Sequence, residues 1–99
     1  MNRYIPKEVL INKIIFFSKK SIENYQVLKR LKKLLPTRLE YIKQKYCNEY
    51  TKGKAQRLAL QDSEYQEHLK EVIQIAYLSK KYRILWETYT MFYYARKYR

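Results

Sequence analysis

Two clusters in this 99-residue chain hold residue types capable of catalysis. Glu64, His68 and Glu71 are spaced four and three apart, so a helix would set two carboxylates and an imidazole on one face, half of a metal site. His68 is the only histidine and no second ligand cluster accompanies it. The plainer reading is a solvated first turn, where acids are favoured by the helix dipole. Cys47 follows Lys43 by one turn, an arrangement that lowers a thiol pKa. No base stands near it in a recognisable motif, so a packed thiol is expected. The expectation is a protein that is not an enzyme, holds no catalytic or metal site and carries no covalently bound cofactor.

Binding chemistry is better represented. The carboxyl end, "MFYYARKYR", interleaves aromatics with Arg96, Lys97 and Arg99, a combination that stacks bases and grips phosphates. Tyr89 and Phe92 are also explained as the end of a helical seam, but that leaves the basic cluster without a reason. Lys80, Lys81 and Arg83 form a second cluster, and Lys29, Arg30, Lys32 and Lys33 a third, with Lys43 and Lys45 following. The third flanks a Leu28–Leu31–Leu35 stripe. A basic rim around an apolar groove suits an acidic protein partner, or one carrying an acyl chain. A phosphate-binding face would show a broad basic stripe with little apolar content.

The net charge is +13, from 22 basic and 9 acidic residues. A/T-rich codons would raise Lys, Ile and Tyr together, but they would not depress Glu, so the asymmetry points to a polyanionic or acidic partner. The single cysteine excludes an internal disulfide and points to a reducing compartment. The most apolar run, "VLINKIIFF", is interrupted by Asn12 and Lys13 and falls short of the ~20 residues that cross a bilayer. With Met1 in place, no amino-terminal presequence is expected to have been removed.

These side chains must be positioned by helices, because one Gly and two Pro leave little material for turns. A first helix is expected over 7–35, starting after Pro6 and stopped by Pro36. Leu10, Ile14 and Phe17, then Tyr25, Leu28, Leu31 and Leu35, supply its stripe. "SKKS" is a candidate bend, with Ser21 a candidate N-cap. A second helix is expected over 38–52, with Thr37 and Glu40 at capping-box spacing, Leu39, Ile42, Tyr46 and Tyr50 on one face, and Gly53 as its stop. Residues 54–62 are open between helix and loop. A third helix, 63–97, begins near Asp62 or Ser63, where Ser63 and Gln66 also have capping spacing. It carries a heptad seam of Ile75, Leu78, Tyr82, Leu85, Tyr89 and Phe92. The expected architecture is a single all-α domain over 1–99, an elongated up-down-up three-helix bundle with a long last helix. Leu85, Trp86, Tyr89, Phe92 and Tyr93 would then outreach the two shorter helices. The tail is expected to dock on another subunit through Trp86 or Tyr89, with Arg96, Lys97 and Arg99 meeting acids, phosphates or lipid headgroups. The alternative is that the first helix covers it.

"LEYIKQKY", Leu39 to Tyr46, resembles the second-helix signature of the LYR proteins, in which a Tyr-hydrophobic-basic run leads to an aromatic one turn later. Tyr41, Ile42, Lys43 and Tyr46 match it. "KLLP", Lys33 to Pro36, resembles the leucine–proline junction of the family's succinate dehydrogenase assembly factors, and "HLKEVIQIAYL" is similar to the start of their third helix. Asn24, Tyr25 and Gln26 stand near the place of the Leu-Tyr-Arg triplet and keep its tyrosine. Cys47 replaces the arginine that usually follows the aromatic. The resemblance implies a basic three-helix protein of the mitochondrial matrix, an accessory subunit or assembly factor of a respiratory complex. It also implies contact with acyl carrier protein and its acyl-phosphopantetheine. The charge pattern leaves open a basic RNA-binding subunit of a ribosome, a small mobile-element protein that binds a host complex, and a cytoplasmic location.

Overall fold

A computed structural model describes residues 5–97, and of Lys97 the backbone alone. The described chain is helical: α1 is Lys7–Cys47, α2 is Lys52–Gln61 and α3 is Ser63–Lys97. Among the described residues there is no strand. The packing separates two compact units. Unit 1 joins the chain before Val27 to the chain after Ile75, and unit 2 is Val27–Ile75.

The expected break at Pro36 is absent, because α1 runs through it. Proline removes one N–H and leaves the carbonyl of Lys32 without its intrahelical donor, at a cost of about 3 kcal/mol. Pro36 and Lys32 are both exposed, so water can serve that carbonyl. The compensation lies in the stripe. Leu28, Leu31, Leu35, Leu39 and Ile42 follow one another at helical spacing without losing phase across Pro36. Leu28 and Ile42 are buried and the other three half-buried. Each such side chain taken from water contributes ~1.5–3 kcal/mol, so Leu39 and Ile42 together offset the proline. Ser21 is likewise no cap; it is buried within α1. Ser18 donates its hydroxyl to the carbonyl of Ile15 at 2.9 Å, which lets a polar side chain sit inside a helix without bending the chain away.

With Pro36 passed, the turn falls after Cys47. The amides of Glu49 and Tyr50 both donate to the carbonyl of Tyr46. Thr51 caps α2, its hydroxyl accepting from the Lys54 amide at 3.4 Å. Gly53, expected as a stop, lies in the first turn of α2, and the open stretch 54–62 is helix through Gln61. Asp62 caps α3: one carboxylate oxygen accepts from the Glu64 amide at 2.9 Å. The side chain of Gln66 does not complete a box with Ser63, but donates to the carbonyl of Leu60 at 2.6 Å.

In unit 2, Leu28 and Ile42 from α1, Ala55 and Ala59 from α2 and Val72 from α3 form the buried core. Both alanines are fully buried; their small side chains let α2 sit close to its neighbours. In unit 1 the start of α1 lies beside the end of α3, with Leu10, Ser21 and Ser79 buried. Phe17 stacks on Tyr82 and Tyr89 at ring separations of 6.1 and 5.5 Å. The Lys7 ammonium stands 5.8 Å over the ring of Tyr93. These contacts run the two helices antiparallel, whereas an up-down-up order would set the first and last helices parallel.

Two substitutions test the helix assignments. Pro36→Ala restores the missing hydrogen bond and should raise stability by roughly 1–3 kcal/mol. Gly53→Ala meets nothing within 4 Å and no positive φ, so it should add about 0.5–1 kcal/mol. Urea unfolding of both variants checks this; a loss of stability in either would return that residue to the role of helix stop.

Candidate partner-binding surface

Lys29, Arg30, Lys32 and Lys33 are all exposed on α1. The groove they were expected to rim is closed, because Leu28, Leu31 and Leu35 turn inward. Other large side chains stand in the open around the same basic run: Tyr25 is 54% exposed, Leu34 43% and Tyr41 65%. The surface is therefore mixed, with apolar bodies between cationic heads.

Of the remaining candidates on α1, Lys45 and Tyr46 reach the start of α3 within unit 2. Lys43 is half-buried and lies 3.9 Å from Glu40. Lys45 donates to Glu64 across 2.7 Å. Tyr46 donates its hydroxyl to the second carboxylate oxygen of Asp62 at 2.5 Å. The Arg38 guanidinium bonds the His68 ring. Arg can only donate, so the imidazole accepts. Lys45, Tyr46 and Arg38 thus tie the end of α1 to the start of α3, a role that residue type alone did not reveal. The signal available in the sequence was the continued phase of the α1 stripe, which places all three within reach of α3.

This network moves three titrations. The Tyr46 hydroxyl and the Glu64 amide hold the Asp62 carboxyl below the usual carboxylate range. The bond to Asp62 pushes the Tyr46 hydroxyl up, and the bond to Glu64 pushes Lys45 up. Ionised Asp62 is the form that both accepts from Tyr46 and caps α3.

The tail is placed differently from expectation. Tyr89 stacks on Phe17, and Phe92 meets Tyr89 edge-on at 5.9 Å. Leu85, Trp86 and Tyr93 are half-buried, while Phe92 and Arg96 are exposed. The first helix does cover much of this stretch, because within unit 1 the start of α1 lies beside the end of α3. Arg99 lies outside the described residues, as does the side chain of Lys97.

Cys47, expected to be packed, is exposed at the last residue of α1. Glu64 and His68 are engaged by Lys45 and Arg38 as above, and Glu71 is exposed. Among the described residues, no group of three or more His, Cys, Asp or Glu is arranged to hold a metal ion. Among the same residues, no helix is long and apolar enough to cross a membrane.

No protein-family model, curated protein or solved structure matches this chain.

The three shifted groups predict the shape of the stability–pH curve. Asp62 has a depressed folded pKa, so its contribution is present above its unfolded value and is lost as pH falls through the folded one. Tyr46 and Lys45 have raised folded values, so their contributions hold below the unfolded values and are lost as pH rises through the folded ones. Asp62→Asn should therefore lower the urea midpoint at neutral pH and flatten its acid-side decline. Tyr46→Phe should flatten the alkaline side. An acid slope unchanged in Asp62→Asn would show that the carboxylate is not held by these bonds.

Proposed function

We propose that this protein is a non-enzymatic accessory subunit or assembly factor of a larger complex, binding an acidic protein partner through the exposed face of α1. The observation that carries the reading is the mixture on that face: Tyr25, Leu34 and Tyr41 stand exposed around Lys29, Arg30, Lys32 and Lys33. Protein interfaces combine desolvated apolar bodies with a charged rim. Binding to a phosphate backbone is dominated by cations and gains little from an exposed leucine. The LYR-like segment from Leu39 to Tyr46 supports a more specific form of the same reading. In it, the setting is the matrix side of a mitochondrial respiratory complex, and acyl carrier protein, with its acyl-phosphopantetheine, is the acidic partner. Here the segment belongs to the second half of α1, so exposed Tyr41 would act from a continuous helix, while Tyr46 is engaged with Asp62.

Each exposed ion pair contributes only ~0–1 kcal/mol, so the basic run acts collectively. Reversing Lys29, Arg30, Lys32 and Lys33 to Glu should weaken incorporation into the complex roughly tenfold to a hundredfold. The helical circular dichroism spectrum should be unchanged. Raising salt should release the wild-type chain. Purification of the tagged chain from its source, with and without nuclease, reads the outcome. A nuclease-resistant protein assembly lost in the charge-reversed variant is expected. Release by nuclease would instead make the anionic partner RNA, and assembly unaffected by reversal would leave this face merely solvated.

A further inference from the structure

Within unit 1, α3 is apolar on two opposite sides. One side is occupied: Ser79, Tyr82, Trp86 and Tyr89 are buried or half-buried, with Tyr82 and Tyr89 against Phe17. On the other side stand Tyr77, Ile84 and Met91, which are 65%, 49% and 70% exposed. They recur every seven residues, and a helix drifts only ~20° over that distance, so they form one line. A second helix lying alongside in a supercoil requires a repeat of this period; the line supplies one of the two seam positions of each heptad, and Lys80 and Glu87 hold the other. A lipid surface has no such requirement, and Glu87 beside the line would oppose it.

The pattern around the line is self-complementary. Counting outward from Ile84, Lys81 stands three residues before and Glu87 three after; Lys80 stands four before and Thr88 four after. Tyr77 and Met91 lie equally far on either side. Lys80, Lys81 and Glu87 are exposed. Glu87 has a loose contact to Arg83 at 4.0 Å, which leaves its carboxylate accessible to a second cation. Lys80 and Glu87 share one flank of the line and Lys81 and Thr88 the other. Laid antiparallel with Ile84 on a two-fold axis, two copies bring each Lys80 beside Glu87 of the other copy and each Lys81 beside its Thr88. Each Tyr77 ring comes level with the Met91 thioether of the other copy, a favourable pairing. Parallel pairing would instead set Lys80 beside Lys81 of the other copy.

We infer that α3 pairs with α3 of a second copy of this chain, antiparallel and centred on Ile84. The net charge of +13 opposes this association at a distance. That repulsion is screened beyond ~8 Å at physiological ionic strength, whereas the apolar line is not weakened by salt. The dimer should therefore tighten as salt rises from low to physiological. Binding of an acidic partner to α1 has the opposite salt dependence, so the two can fail independently.

Sedimentation equilibrium of the full chain at about 100 µM in ~0.15 M salt provides the test. A dimer is expected, and Ile84→Glu should raise its dissociation constant by roughly a hundredfold or more with an unchanged circular dichroism spectrum. Lys80→Glu should weaken it, and adding Glu87→Lys should restore it. In a Cys47→Ser background, Ile84→Cys should oxidise to a disulfide-linked dimer while Ile15→Cys, on exposed α1, should not. A monomer at this concentration overturns the inference, as does a dimer indifferent to Ile84→Glu or a charge swap without rescue. So does protection of this face only on adding phosphatidylglycerol vesicles, which would assign it to lipid.

Discussion

The persistence of α1 through Pro36 is the constraint on which the rest of the chain depends. One hydrogen bond is lost at the Lys32 carbonyl, in an exposed position where water can replace it. In return the stripe from Leu28 to Ile42 is buried without a change of phase. Because the chain does not turn there, one helix supplies both units: its start packs against the end of α3, and its second half against the start of α3 and against α2. The turn is displaced to the residues after Cys47. Two capped helix starts follow, at Thr51 and Asp62, and the caps satisfy amides that no intrahelical carbonyl can reach.

The electrostatics follow from the same geometry. Glu23, Glu40, Glu64, Glu67 and Glu87 each lie within 4.0 Å of a lysine or arginine of this chain, and Asp62 is committed to capping. Such exposed pairs stabilise the fold little. Their consequence is for the outside: a chain with 22 basic and 9 acidic residues, several of the acids already engaged, presents a still more cationic surface. The four cations from Lys29 to Lys33 lie on the part of α1 whose opposite face is sunk in unit 2, which gives them a rigid support.

Aromatic side chains divide in a similar way. Phe17, Tyr82 and Tyr89 hold unit 1 together by stacking. Lysines stand over several rings of their own chain, Lys13 over Phe17, Lys20 over Phe16 and Lys54 over Tyr50. Basic–aromatic interleaving in this sequence is thus partly an intramolecular device, in which a long aliphatic stem covers a ring while the ammonium stays in water.

Composition and periodicity by themselves determined that this chain is all helix, because one glycine and two prolines cannot punctuate anything else, and because apolar residues recur at helical spacing. They also determined the cationic excess, which is a property of counts. Tertiary structure decided where the first helix ends. Local rules read Pro36, Gly53 and the Ser18–Ser21 run as boundaries, yet a local penalty of a few kcal/mol yields when a stripe in phase on both sides is buried. It also decided which aromatics are core. The seam through Tyr82 and Tyr89 was visible in the sequence, but that Phe17 of α1 covers it was not. Finally, tertiary structure decided which cations are committed inside the fold: Lys45 and Lys33 belong to the same residue type, and only the proximity of Glu64 separates them.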